Sequence, residues 1–136
     1  VFGRILGEDL LRRGADDCDL SSWVPLSAKR WHRRGYDQAQ LLAEAAAEVL
    51  GTKAVPLLRK ARDVSPQSRL RTPEERRANI SGCYVVRSAD AVRGKRILLI
   101  DDVITTGSTL SECARMLLTA GAVSVRGAAL PCHREE

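Results

Sequence analysis

The sequence predicts an α/β fold with a mostly parallel central sheet flanked by helices. Three observations carry this expectation. "RILLID" at 96–101 is apolar without alternation, the pattern of a central strand covered on both faces. Leu110, Cys113, Ala114, Leu117 and Leu118 follow at i, i+3, i+4, i+7 and i+8, as in a helix packed on a sheet. Helical and strand patterns alternate along the whole chain, with no internal repeat and no low-complexity linker.

Taken in order, residues 2–13 are expected to form a helix with Phe2, Ile5, Leu6 and Leu10 on one face. "DLSSWVPLS" reads as a short strand ending at Pro25, since proline cannot continue an inner ladder. "AKRWHRRGY" is a basic loop. From Asp37, "DQAQLLAEAAAEVLG" predicts a helix with Leu42, Ala46, Val49 and Leu50 as its buried stripe and Gly51 as its C-terminal cap. "KAVPLL" at 53–58 reads as a strand, and 59–72 as a mobile basic loop. Thr72, Pro73 and two acids open a helix at "TPEERRANI". "GCYVVR" is a strand, "SADAVRGK" a turn, and "RILLID" the central strand. After the next helix, where Thr109 and Glu112 have capping-box spacing, Gly121 stops the chain and "VSVRGAAL" returns as a strand.

Composition narrows the function classes. A chain of 136 residues, 44% apolar and 29% charged, suits one globular domain with a real core. No apolar run approaches the roughly 20 residues of a membrane helix. The start, without methionine, lacks the zones of a signal peptide. Cys18, Cys83, Cys113 and Cys132 form no CxxC pair, which argues against zinc and for a reduced, cytoplasmic setting. His32 and His133 are isolated and are read as surface residues. The net charge of +5 is mostly arginine. One basic group is Lys29, Arg30, Arg33 and Arg34. A second runs from Arg59 to Asn79 without the interleaved aromatics that single-strand binding uses.

The chemistry concentrates in "RILLIDDVITTGSTL", residues 96–110. Asp101 and Asp102 stand at the carboxyl end of the central strand, where open α/β sheets bind ligands. The loop that follows enters a helix N-terminus, whose N–H groups and dipole favour an anion such as phosphate. Gly107 permits close backbone approach. Thr105, Thr106, Ser108 and Thr109 add hydroxyl donors. Two carboxylates would repel that phosphate unless they accept from neutral hydroxyls or bind Mg²⁺. A ribose 5-phosphate group satisfies both demands. An ATP-type loop is excluded, because "DVITTGSTL" has no lysine.

"LLIDDVITTGSTL" resembles the phosphoribosyl pyrophosphate (PRPP) motif of type I phosphoribosyltransferases. With "VPLSAKRWHRRGYDQAQLLAEA", "LLRKARDVSPQSRLRTPEERRANISGCYVV" and "GKRILLIDDVITTGSTLSECARMLLTAGAVSV", the chain resembles the ComF (competence protein F) family over about residues 20–130. The resemblance implies a single phosphoribosyltransferase-like domain over 1–136, with a flexible hood at 59–80. Asp101 and Asp102 would hold the ribose hydroxyls. Thr105, Thr106, Gly107, Ser108 and Thr109 would bind the 5-phosphate. Leu26, Ser27, Ala28, Lys29 and Arg30 would touch the pyrophosphate, and Mg²⁺ would bridge substrate oxygens. Arg69 and Arg71, with Arg76 and Arg77, would supply charge from the hood as pyrophosphate departs. Gln67 and Asn79 also match family positions. "RGYDQ" stands where the family has RGFNQ, and "QSRL" where it has QTGL. The family's N-terminal zinc ribbon is expected to be absent.

Two functions follow from the resemblance. One is a phosphoribosyltransferase joining ribose 5-phosphate to a nucleobase or amine. The other is a non-catalytic PRPP-binding or DNA-uptake accessory protein, with single-stranded DNA or competence proteins as partners. A homodimer is the default association by symmetry.

Overall fold

A computed structural model describes residues 2–14, 17–25, 38–61, 72, 74, 82–103 and 108–130. Its elements, in chain order, are α1 (Phe2–Arg12), β1 (Leu20–Trp23), α2 (Gln38–Leu50), β2 (Lys53–Ala54), β3 (Leu58–Lys60), β4 (Tyr84–Val86), α3 (Ala89–Val92), β5 (Arg96–Val103), α4 (Ser108–Thr119) and β6 (Ser124–Leu130). Four strands form a wholly parallel sheet in the order β2-β1-β5-β6, and β3 and β4 form a separate antiparallel pair.

β5 is the axis of the molecule. Ile97, Leu98, Leu99 and Ile100 are all fully buried. Strand alternation sends them to opposite faces. Leu98 and Ile100 join Leu6 and Leu10 of α1, and Ala39, Leu42, Ala43, Ala46 and Leu50 of α2. Ile97 and Leu99 join Cys113 and Leu117 of α4 together with Leu58, Tyr84 and Val92. The sheet is therefore the middle of three layers, with α1 and α2 on one side and α4 with the hairpin strands on the other.

The layering follows from connection handedness. The β1–α2–β2 crossover moves one way along the sheet, and β5–α4–β6 moves the other way. Right-handed crossovers running in opposite directions place their helices on opposite faces. The strand order reverses between β1 and β5.

Serines secure β1. Ser21 and Ser22 are fully buried yet satisfied. The Ser21 and Thr52 hydroxyl oxygens are 2.8 Å apart. The Leu57 N–H donates to Ser22 Oγ at 3.2 Å. At the amino-terminal ends of β1 and β5, the Arg96 side chain grips Asp19 through Nε and a terminal nitrogen, and the Arg96 N–H also donates to Asp19 Oδ2.

Several expectations change in detail. Ile5 is 53% exposed, because α1 meets α2 through Leu6, Gly7 and Leu10. A Cβ placed on Gly7 would lie 2.9 Å from Val49 Cβ and 3.0 Å from Ala46 Cα. Gly7→Ala is thus expected to force the helices apart and cost about 1–3 kcal/mol, visible as a lowered melting temperature. In α2, Ala39, Ala43 and Ala47 are buried while Val49 is only half-buried, since small residues face α1 and the sheet at close range. "KAVPLL" is not one strand. Pro56 interrupts the ladder, so β2 stays with β1 and β3 turns away to pair with β4. The basic stretch expected as loop from Arg59 begins inside β3, which runs to Lys60. The expected turn "SADAVRGK" contains the short α3. Leu118 is 49% exposed, the outer edge of the α4 stripe. Gly51 and Gly121, at φ +74° and +112°, end their helices as expected. No described helix is long and apolar enough to cross a membrane.

Candidate functional site

The reversal of strand order fixes where a ligand crevice opens. In open parallel sheets it lies beyond the carboxyl ends of the two strands flanking that reversal. Here those strands are β1 and β5, paired in register from Leu20 with Ile97 to Trp23 with Ile100. The Val24 N–H still donates to the Ile100 carbonyl at 2.9 Å. β5 then runs on through Asp101, Asp102 and Val103.

Asp101 is half-buried and pairs with Ala129 of β6. The register then slips, because Val103 faces Leu130, the very next residue of β6. Asp102 is the extra residue of this irregularity. Such bulges break strict side-chain alternation at strand ends and recur next to active sites. Alternation from Leu99 puts Asp101 on the α4 side of the sheet. Cys113 of α4, fully buried, lies on that side. Burial pushes its thiol far above the ordinary range, and the Asp101 carboxylate adds to the shift. Alkylation at mildly alkaline pH is expected to spare the Cys113 peptide in the native protein and to label it after denaturation, as read by mass spectrometry.

α4 begins at Ser108, so Thr109 lies inside its first turn, half-buried. The expected Thr109–Glu112 capping box is therefore not formed. Glu112 instead binds Arg115 and the Gly82 N–H. Thus Asp101 and Asp102 lie in the last part of β5, and Ser108 and Thr109 open α4. Leu26, Ser27, Ala28, Lys29, Arg30, Arg69, Arg71, Thr105, Thr106 and Gly107 lie outside the described residues, as do His32, Cys132 and His133. Residues 26–30 follow directly from the end of β1, and 104–107 connect β5 to α4.

Sequence reasoning counted Lys60 only as one cation of the basic stretch from Arg59 to Asn79. It pairs with Tyr84 across the hairpin and holds its ammonium 5.6 Å from the centre of that ring. The available signal was a cation two residues after the apolar Leu58, which strand alternation places on the same face.

The comparisons with known proteins agree with this geometry. The family described as the phosphoribosyl transferase domain matches residues 37–135. The chain belongs to that family. Within it, the chain stands with the ComF proteins of the type I phosphoribosyltransferase superfamily. It is 35% identical over 104 residues to the DNA utilization protein YhgH of Salmonella typhi, covering 76% of this chain and 44% of that protein. It is 34% identical over 126 residues to competence protein ComFC of Streptococcus pneumoniae, covering 93% and 52%. The phosphoribosyltransferase-family chain thus spans about half the length of the curated relatives it matches. Among solved structures, glutamine PRPP amidotransferase from B. subtilis, complexed with ADP and GMP, is similar with a TM-score of 0.63 and 25% identity. That match covers 93% of this chain and 25% of the other. The fold is the α/β phosphoribosyltransferase fold.

Proposed function

We propose that this domain binds PRPP across the β1–β5 switch point and transfers ribose 5-phosphate to a nitrogen acceptor, a nucleobase or amine, releasing pyrophosphate. One observation carries the reading. β1 and β5 flank the only reversal of strand order among the described strands, and β5 carries Asp101 and Asp102 at its carboxyl end.

The roles follow from the chemistry of each group. Asp101 and Asp102 accept hydrogen bonds from the ribose hydroxyls. Thr105, Thr106, Gly107, Ser108 and Thr109 take the 5-phosphate at the start of α4, where the helix dipole favours negative charge. Leu26, Ser27, Ala28, Lys29 and Arg30 take the pyrophosphate, and Arg69 and Arg71 neutralise it as it leaves. Mg²⁺ would be held chiefly through the oxygens of PRPP itself, with Asp101 and Asp102 as the protein carboxylates that would share it together with water. The bound ion would supply further charge neutralisation to the leaving group. Residues 1–136 act as one domain in this reading. The buried thiols Cys18, Cys83 and Cys113 suit a reducing compartment, and the cytoplasm is the proposed location.

The names of the relatives, a DNA utilization protein and a competence protein, favour a second reading. There PRPP binding serves a DNA-uptake assembly without turnover. Pyrophosphate release from PRPP and Mg²⁺, assayed across a panel of nucleobases and amines, separates the two. Acceptor-dependent release supports the transferase. Binding without release across the panel supports the accessory role.

A further inference from the structure

The sheet ends differently on its two sides. On one side stands β2, only two residues long, with Pro56 close behind it. Shortness and proline both blunt an edge strand. On the other side stands β6, seven residues long, and among the described residues no strand lies beyond it. Arg126 is its one charged residue. An edge of this length with so little charge is a template for another strand.

The flank above that edge is apolar. Val125 joins the cluster of Cys113 and Leu117, so strand alternation puts Val123, Val125 and Gly127 on the α4 side. The Val123 N–H donates to the Lys95 carbonyl and carries the ladder one residue back from β6, yet its side chain is 65% exposed. On α4, Glu112 turns to the hairpin through Gly82, and Leu110, Ala114 and Leu118 form the opposite flank. Leu110 and Ala114 are half-buried, and Leu118 is exposed.

A single copy of the chain does not explain Gly127. Its φ is not positive. A Cβ on it would lie 3.8 Å from Leu110 Cδ1, an ordinary contact. Glycine inside a strand weakens it and often marks the close approach of another backbone. The two apolar rows also match in level. α4 runs back along β6 from Leu110, which stands above Gly127. Four helical residues advance about 6 Å, and two strand residues about 6.6 Å. Ala114 therefore stands level with Val125, and Leu118 with Val123.

We propose that β6 is the interface with a second copy of this chain, pairing antiparallel with its counterpart about a twofold axis through Val125 and Ala114. Two four-stranded sheets then join into one. About that axis, Val123 of each copy lies opposite Gly127 of the other, and the glycine makes room for it. Leu118 faces Leu110, and Ala114 faces its own counterpart. Strands about 4.8 Å apart set two helices that each lie over a β5–β6 pair roughly 10 Å apart, which is packing distance. The small Ala114 at the axis permits it. On the other face Arg126 lies opposite Ser124 rather than another Arg126, so no like charges are opposed. Both rows are complementary to themselves, as an isologous contact requires.

The test is sedimentation equilibrium across the micromolar range, with melting curves recorded alongside. The wild type is expected to be dimeric. Ala114→Lys and Ala114→Glu each oppose like charges at the axis. Each is expected to weaken self-association about tenfold or more, and an equimolar mixture of the two to recover the dimer. Leu118→Lys changes a side chain that is already exposed, so it weakens the dimer and leaves the monomer folded. Ile5→Lys, on the other face of the sheet, leaves the dimer intact. A wild type that is monomeric throughout this range overturns the proposal, whether the edge stays open or the chain after Leu130 covers it. A dimer that survives Leu118→Lys overturns it too, because its interface then lies elsewhere. Folded Ala114 variants whose mixture stays monomeric remove the axis through Ala114, and the proposal with it.

Discussion

Replacing Asp101 and Asp102 together by asparagine is expected to weaken PRPP binding by at least about 100-fold while leaving the protein folded. Hydrogen bonds to a charged group contribute about 1.5–3 kcal/mol each. Two carboxylates accepting ribose hydroxyls therefore account for two or more decades of affinity. Asparagine has nearly the same size, so the bulged end of β5 keeps its backbone pairing with β6. Asp101 is half-buried rather than sealed in the core, and the packing of Ile97 to Ile100 does not depend on its charge. Calorimetric titration with PRPP and Mg²⁺ gives the affinity, and a melting curve gives the control. Undiminished binding in a folded double variant would mean that the ribose lies elsewhere.

The second large effect is on stability. Leu98 and Leu99 are neighbours in sequence, but their side chains enter different clusters on opposite faces of the sheet. Both are fully buried. Leu98→Ala opens a cavity against α1 and α2, and Leu99→Ala opens one against α4 and the hairpin. Each is expected to cost about 2–5 kcal/mol. The two clusters share no residue, so the double variant is expected to lose more stability than either single one. A domain of ordinary stability, about 5–15 kcal/mol, would then be largely unfolded in the double variant. Urea denaturation of the single variants, with unchanged m-values, checks this. A loss under about 1 kcal/mol for either leucine would show that its face is not packed as described.

The parts of the fold that were legible are those with a dense local signal. The unbroken apolar run at 97–100 has only one economical explanation, a strand covered on both faces, and this strand is the axis of the sheet. The positions of Cys113 and Leu117 on α4 were readable from helical spacing for the same reason. The paired acids and the small-residue loop mark the candidate site in the sequence because both follow that apolar run directly.

The features that escaped depend on partners distant in sequence. Ile5 and Leu118 are apolar residues at the edges of helical stripes, and only the neighbouring elements decide that they face solvent. Gly7 looks like a weak helix residue until α2 is laid against it. Pro56 stood within an apolar run, and the switch it forces shows only once β3 has found β4. The bulge at Asp102 has no local sequence signature. Thr109 and Glu112 have capping-box spacing, yet the same glutamate binds Gly82 and Arg115, and the helix begins one residue before Thr109.

The most direct test of the central claim is calorimetric titration of PRPP into the wild-type protein, with and without Mg²⁺. One-to-one binding in the micromolar range that requires Mg²⁺ is the result expected of a phosphoribosyl site at the β1–β5 switch point. A folded protein that takes up no PRPP in either condition would contradict it.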